Sequence, residues 1–288
     1  MQNLPLILGG RAVRESIRAR LKEAFARQKG GALAIVQVGA NEASNAYISQ
    51  KKKFGIELGV QVVHAQFPED ISEPALIAEI KKLNADTSVG GIIVQLPLPT
   101  HLNKEHIQNA VALEKDVDGL AHGSKFTPAT ARAVSELLIF YGIAVAGKRV
   151  AVLGRSRLAG APIAALLQKR GALVSVCHSK TMNTKEITRA ADIIISAVGK
   201  PRFLDKLYFR NDQTQVVVDV GITVVTERGV EKLEEEIPKR RLVGDVDFEN
   251  VKGMVSAISP VPGGVGPMTV AALYENLLDA SIVNRTRC

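Results

Sequence analysis

The chain has 288 residues, 46% of them hydrophobic, more than one ordinary core of ~100–200 residues takes up and enough for two domains. Aromatic residues make up only 4%, with no Trp, which argues against a stacking platform for single-stranded nucleic acid. The formal net charge of +8 favours anionic partners, and small anions fit better than a nucleic-acid backbone because the basic residues are dispersed outside Lys51-Lys52-Lys53 and Pro238-Lys239-Arg240-Arg241.

Along the chain, Met1-Gln2-Asn3 opens without a basic region followed by an apolar stretch, and nowhere is there a run of about eighteen apolar residues. A cytoplasmic protein with no membrane partner is expected. Cys177 and Cys288 have no metal-ligand spacing, so no metal is expected and a reducing compartment fits. From residue 32 to about 116, short apolar runs alternate with amphipathic stretches, the pattern of βαβ units with a mainly parallel sheet. Strands are predicted at Ala32–Val38, 60–67 and 91–96. Between the last two, Ser72 is a candidate N-cap with Pro74 in the first turn and Leu76, Ile77, Ile80 and Leu83 facing inward.

If residues 43–58 are helical, Tyr47 and Lys51 share one face, which Phe54 and Leu58 continue as apolar. A lysine there is open to two readings. Desolvation disfavours its ammonium and suits proton transfer near neutral pH; a solvated helix with a snorkelling Lys51 has the same spacing. Lys52 and Lys53 point elsewhere. Gln95 is the one side-chain hydrogen-bonder in the strand end Val94-Gln95-Leu96-Pro97-Leu98-Pro99, and Lys115-Asp116-Val117-Asp118-Gly119 presents two carboxylates. Ordinary turn chemistry is the plain alternative for both.

The domain boundary is expected between residues 119 and 148, with 129–141 a connecting helix. A second series of strands follows at Arg149–Leu153, 172–177, 192–197, 215–220 and, less regularly, near 254–258. Their nearly continuous apolar character is that of parallel strands covered on both faces. Gly154-Arg155-Ser156-Arg157-Leu158-Ala159-Gly160 lies between a strand and a helix, where backbone amides receive an anion, although it is not a standard G-x-G-x-x-G. The next strand ends in Cys177-His178-Ser179-Lys180 with no acid to receive ribose hydroxyls, and Arg155 offers a bidentate donor, so NADP is favoured over NAD. His178 reads equally as an exposed loop residue. The segment 260–267 is too rich in Pro and Gly for helix or strand and brings bare backbone near a flat ligand. In 269–283, Leu273, Leu277 and Ile282 recur at helical spacing on a helix expected to pack back on the first domain.

Together, Tyr47-x-x-x-Lys51-x-Lys53, 94–99, 115–119, Gly154-Arg155-Ser156, Cys177-His178-Ser179, Asp219-Val220-Gly221-Ile222 and Pro262-Gly263-Gly264-Val265-Gly266-Pro267-Met268-Thr269 resemble the bifunctional methylenetetrahydrofolate dehydrogenase/cyclohydrolase (FolD) family, in the family's order. The resemblance implies an α/β fold of two domains with a cleft between them: a catalytic, folate-binding domain (1–125 plus 269–288) and a Rossmann-type NADP-binding domain (126–268). It implies oxidation of 5,10-methylenetetrahydrofolate with NADP, then hydrolysis to 10-formyltetrahydrofolate, in the one-carbon metabolism that supplies purine biosynthesis. Under it, Lys51 is the main proton-transfer group, Tyr47 its stacking neighbour, Gln95 its tuning partner and Asp118 the grip on the pterin, with Leu96, Pro262, Gly263, Gly264 and Val265 against the folate. Thr130, Gly154, Arg155, Ser156, His178, Ser179, Gly199 and Ile222 hold the dinucleotide. A homodimer that binds tetrahydrofolate one-carbon derivatives and no nucleic acid is also implied.

The chain departs from the pattern between Gly119 and Pro128, where the loop is short and His-Pro-x-Asn-x-Gly is absent. Pro-Cys-Thr-Pro-x-Gly is replaced by Pro128-Ala129-Thr130-Ala131-Arg132-Ala133, and Thr223, Ala159 and Gly9 stand where Asn, Val and Asp are usual. A dehydrogenase without cyclohydrolase activity and a non-catalytic folate- or dinucleotide-binding protein are the competing readings.

Overall fold

The computed structural model describes residues 4–27, 31–226 and 240–285. Met1, Gln2 and Asn3, Pro238 and Lys239 of the basic stretch, and Cys288 lie outside the described residues. In chain order the elements begin β1 (Leu6–Ile7), α1 (Gly10–Arg27), β2 (Ala32–Val38), α2 (Glu42–Leu58), β3 (Val62–Phe67), α3 (Glu73–Ala85), β4 (Val89–Val94) and α4 (Lys104–Asn109). They continue α5 (Ala129–Phe140), β5 (Arg149–Leu153), α6 (Gly160–Lys169), β6 (Leu173–Cys177), α7 (Thr184–Ala190), β7 (Ile193–Ser196) and β8 (Val216–Asp219). Last come β9 (Thr223–Thr226), β10 (Arg240–Val243), α8 (Phe248–Val251), β11 (Ala257–Ile258) and α9 (Thr269–Arg285). No helix among the described residues is long and apolar enough to cross a membrane.

The chain divides into two compact units, Arg14–Arg132 with Thr269–Cys288, and Met1–Val13 with Ala133–Met268. This differs from the expected 1–125 and 126–268 at both ends. Residues 1–13 go with the later unit because Leu6 and Ile7 pair in parallel with Ala257 and Ile258. Residues 126–132 stay with the earlier one, where Arg132 binds Glu275 (3.0 Å) and Asn276 (2.8 Å) of α9.

The first unit is built on a parallel sheet in the order β3-β2-β4. Every residue of β2 is buried, as expected of a central strand that is apolar but for Gln37. On one side, Leu76 and Ile80 of α3 are fully buried. That helix starts where Ser72 Oγ accepts from Ala75 N (3.4 Å) and Pro74 occupies the first turn. Leu273 and Leu277 of α9 are buried as expected, but Ile282 is 45% exposed. Strand β3 begins two residues later than predicted because Val60 N still closes onto Gly55 O at 2.9 Å, completing the left-handed Gly59 cap of α2. Strand β4 lies two residues earlier than predicted, since Pro97 and Pro99 bring no N–H to a ladder.

The second unit has six strands in the order β1-β11-β8-β7-β5-β6, all parallel. The expectation that its strands are covered on both faces fails for β6, where Leu173 is 62% and Val176 41% exposed. Its one neighbour is β5, so β6 is an edge with less cover than the central β7, which is buried throughout. The antiparallel ribbon β9–β10 was not legible in the sequence.

Candidate active site

In the three-stranded unit, a helix, a strand end and a turn converge on one amine. Asn41 caps α2 by accepting from Ser44 N (3.2 Å), and three turns later the helix presents Lys51. Gln95 follows the last residue of β4 and is 9% exposed. Lys51 Nζ donates to Gln95 Oε1 at 2.9 Å, while Gln95 Nε2 donates to Leu96 O at 2.7 Å, so the amide keeps its oxygen toward the amine. Burial holds Lys51 below the usual lysine range, partly opposed by the carboxylate of Asp118. The same burial raises Asp118, partly opposed by Lys51. Both groups are thereby drawn toward their neutral forms. This replaces the snorkelling alternative for Lys51. From behind, Tyr274 donates its hydroxyl to Lys51 O at 2.8 Å and lies 5.4 Å from Phe54 ring to ring, clamping this turn of α2. Tyr47, one turn earlier, is 48% exposed.

The 115–119 motif separates into unlike parts. Lys115 Nζ donates to the carbonyls of Leu83 (3.2 Å), Asn84 (2.7 Å) and Asp86 (2.6 Å), ending α3. Asp116 accepts from Ala121 N at 2.9 Å and Leu120 N at 3.4 Å, folding the short loop back on itself. Only Asp118 of the two carboxylates interacts with Lys51. Lys52 is directed away: its Nζ lies 2.9 Å from His64 Nδ1, and His64 Nε2 lies 2.7 Å from Gln37 Oε1. Because an ammonium only donates, Nδ1 accepts and Nε2–H donates, tying α2 to β3 and β2. The sequence reading passed over this chain of bonds, although His64 and Gln37 are polar interruptions in apolar strands.

In the six-stranded unit, Gly154, His178, Gly199, Ile222 and Pro262 follow the C-terminal ends of β5, β6, β7, β8 and β11. Strands β6 and β7 flank β5 on opposite sides, so Gly154 stands at the topological switch point, where such sheets bind ligands. Gly154 has φ +107, and a Cβ there would sit 2.2 Å from Ala197 O, so only glycine permits this turn. Arg155 and Ser156 are exposed ahead of α6, and the Ser156 hydroxyl accepts from Ala159 N at 3.3 Å. His178 Nδ1 accepts from Lys180 N at 3.2 Å and shapes the turn that leaves Ser179 exposed. Ile222 is 46% exposed. Of the Pro-Gly segment, Pro262 is exposed, Gly263 has φ +111, and Gly264 and Val265 are buried. Thr130, expected with the dinucleotide residues, belongs to the three-stranded unit with Leu96. Sequence reading assigned nothing to Asp245, a fully buried carboxylate that follows Gly244 just after β10; with Asp247 and Glu249 close by, the sequence does not single it out.

A family profile described as tetrahydrofolate dehydrogenase/cyclohydrolase, catalytic domain, matches residues 8–118, and its companion NAD(P)-binding domain matches residues 128–285. The chain is 40% identical to bifunctional protein FolD of Ligilactobacillus salivarius, covering 95% of both. It is also 40% identical to the cytoplasmic C-1-tetrahydrofolate synthase of Schizosaccharomyces pombe over 97% of this chain, but spans only 31% of that larger protein. The crystal structure of Trypanosoma brucei FolD, complexed with NADP cofactor and inhibitor, is similar at a TM-score of 0.87 and 34% identity, covering 99% of this chain and all of that one.

Proposed function

Since the chain belongs to the tetrahydrofolate dehydrogenase/cyclohydrolase family, we propose that it oxidises 5,10-methylenetetrahydrofolate to the methenyl form with NADP and hydrolyses that to 10-formyltetrahydrofolate. One observation carries the reading: the buried amine of Lys51, hydrogen-bonded to the carboxamide of Gln95 and within the electrostatic influence of the Asp118 carboxylate. For hydrolysis, one N–H of neutral Lys51 donates to Gln95 and leaves its lone pair free. That lone pair takes the proton of the water adding to the methenyl carbon. As the C–N5 bond breaks, the added hydroxyl gives up its remaining proton to become the formyl C=O, N5 takes up one of the two water protons, and the other is released from Lys51 to solvent as 10-formyltetrahydrofolate leaves. Asp118 accepts the paired N–H donors of the pterin, and Tyr47 offers a ring to stack on.

The residues after the strand ends of the six-stranded unit fit a dinucleotide. Gly154, packed against Ala197 O, turns the chain out of β5 toward the N-terminus of α6, where a phosphate would bind, and Arg155 stands exposed beside it. The bound cofactor supplies the hydride acceptor, and the chain supplies orientation. Thr130, Ser156, His178, Ser179, Gly199 and Ile222 are the remaining contacts in this reading, with Leu96, Pro262, Gly263, Gly264 and Val265 toward the folate. A cytoplasmic homodimer is part of the proposal on the strength of the family likeness; light scattering at twice the chain mass checks the dimer.

The test is a pair of assays: NADPH absorbance from methylenetetrahydrofolate, and decay of methenyltetrahydrofolate above the buffer rate. Both should be accelerated. The short loop folded on Asp116 favours the second reading, a dehydrogenase alone, which predicts the first signal without the second. Neither signal would end the proposal.

A further inference from the structure

Asp245 is fully buried and its carboxylate is saturated. Oδ2 accepts from Ser196 Oγ (2.9 Å), Val198 N (2.6 Å) and Gly199 N (3.2 Å), and Oδ1 from Lys200 N (2.8 Å). A second buried carboxylate, Asp219, sets it: its Oδ1 accepts from Asp245 N (3.2 Å) and Gly221 N (2.9 Å), its Oδ2 from Val246 N (2.8 Å). Two glycines make room. A Cβ on Gly221 would fall 2.1 Å from Asp245 Cγ, and one on Gly244 2.1 Å from Asp219 Oδ2. The clasp thus joins the turn after β7 to the turn after β8.

We propose that Asp245, set in place by Asp219, is a positioning residue for the dinucleotide, holding the 198–200 turn and the Gly221-Ile222 turn in their binding geometry. The inference rests on the NADP-dependent reading above. With three successive N–H groups drawn inward onto one carboxylate, planar trans peptides turn their carbonyls the other way. Ala197 O accordingly faces Gly154. The turn therefore offers acceptors and the bare Cα of Gly199, with φ +70 and open space beside it. That surface suits ribose hydroxyls and the carboxamide N–H groups of the cofactor, whereas phosphates need the amides that Asp245 has taken.

Asp245→Asn puts an NH2 group against backbone N–H donors and frees part of the turn. The measurements are NADPH affinity by its fluorescence, steady-state kinetics with each substrate, and a thermal melt. The expected result is a rise of ~10-fold or more in both the NADPH Kd and the KM for NADP, with kcat at saturating NADP within about threefold and KM for methylenetetrahydrofolate unchanged. A fall in kcat with an unchanged Kd and KM means a merely structural carboxylate and overturns the proposal. If the melt shows that this variant does not fold, Ser196→Ala, which deletes one donor, decides: a roughly threefold rise in Kd is expected, and an unchanged Kd overturns it. A parent chain that binds NADPH but does not turn over the folate refutes the proposed reaction, while the affinity comparison still tests Asp245.

Discussion

Lys51 shows how much of one residue's chemistry is made by its neighbours. Its pKa is lowered by burial, so its charged form carries a folding cost that is present at neutral pH and relieved as pH rises through the lowered folded value toward 10.5. Lys51→Met removes that cost. The variant is expected to fold with a melting temperature at pH 7 no lower than the parent's, while methenyltetrahydrofolate decay drops to the buffer rate, a loss of ~100-fold or more for a general base. Residual accelerated decay would remove Lys51 from the mechanism. Arg155 is the residue to test for cofactor choice. An Arg–phosphate hydrogen-bond pair is worth ~1.5–3 kcal/mol, so Arg155→Ala should raise KM for NADP ~10–100-fold and leave KM for NAD nearly unchanged. Equal changes would refute contact with a 2′-phosphate. Lys51 was legible as a candidate because Tyr47, Lys51 and Phe54 fall on one helical face. Its lowered pKa was left open, since that depends on burial, which only the packed fold supplies and which the distant Asp118 partly opposes.

At the scale of elements, the 115–119 turn is held by groups that touch no proposed ligand. Asn276 of α9 is fully buried and donates to Val117 O and Thr127 O, both at 2.8 Å, immediately before Asp118 and Pro128. Asn276→Ala strands the buried Val117 carbonyl, costing ~1–3 kcal/mol, leaves the part-buried Thr127 carbonyl without this donor, and loosens Asp118. Urea unfolding should show the stability loss, and kinetics a KM for the folate raised more than KM for NADP. An unchanged folate KM would show that Asp118 does not depend on this support. Lys115→Met should likewise cost ~2 kcal/mol or more by uncapping α3. In sequence, Lys115 looked like part of a functional motif. Its three carbonyl partners 29 to 32 residues away show it to be a helix cap.

At the scale of the whole molecule, the buried carboxylates give stability a direction with pH. Asp219 is raised from 3.8 to about 7, first by burial and further by Asp245, and it lines a cavity of ≈ 390 Å³ with Arg202 and Arg241. A group that holds its proton more tightly when folded contributes stability fully below its unfolded pKa and loses it as pH rises through the folded one. The urea midpoint should therefore fall between pH 5 and 7.5, by on the order of 2–3 kcal/mol in free energy, and Asp219→Asn should flatten that slope. A slope as steep in the variant would assign the effect elsewhere. The net charge of +8 adds a long-range pull on anionic ligands, so KM for NADP should rise several-fold when ionic strength is increased from ~0.05 to ~0.5 M.

Read without any coordinates, the chain already disclosed the α/β class, the strands Ala32–Val38 and Arg149–Leu153 to the residue, and which side chains are candidates for chemistry. Periodicity, caps and glycine turns are local, and local interactions suffice for them. Folding was needed to reveal that Leu6–Ile7 join the six-stranded sheet, that β6 is an edge, that Lys115 is a cap, and that Asp245 grips the 198–200 turn. Each of these depends on a partner distant along the chain, and burial, which sets the protonation of Lys51, Asp118 and Asp219, exists only once those partners have met.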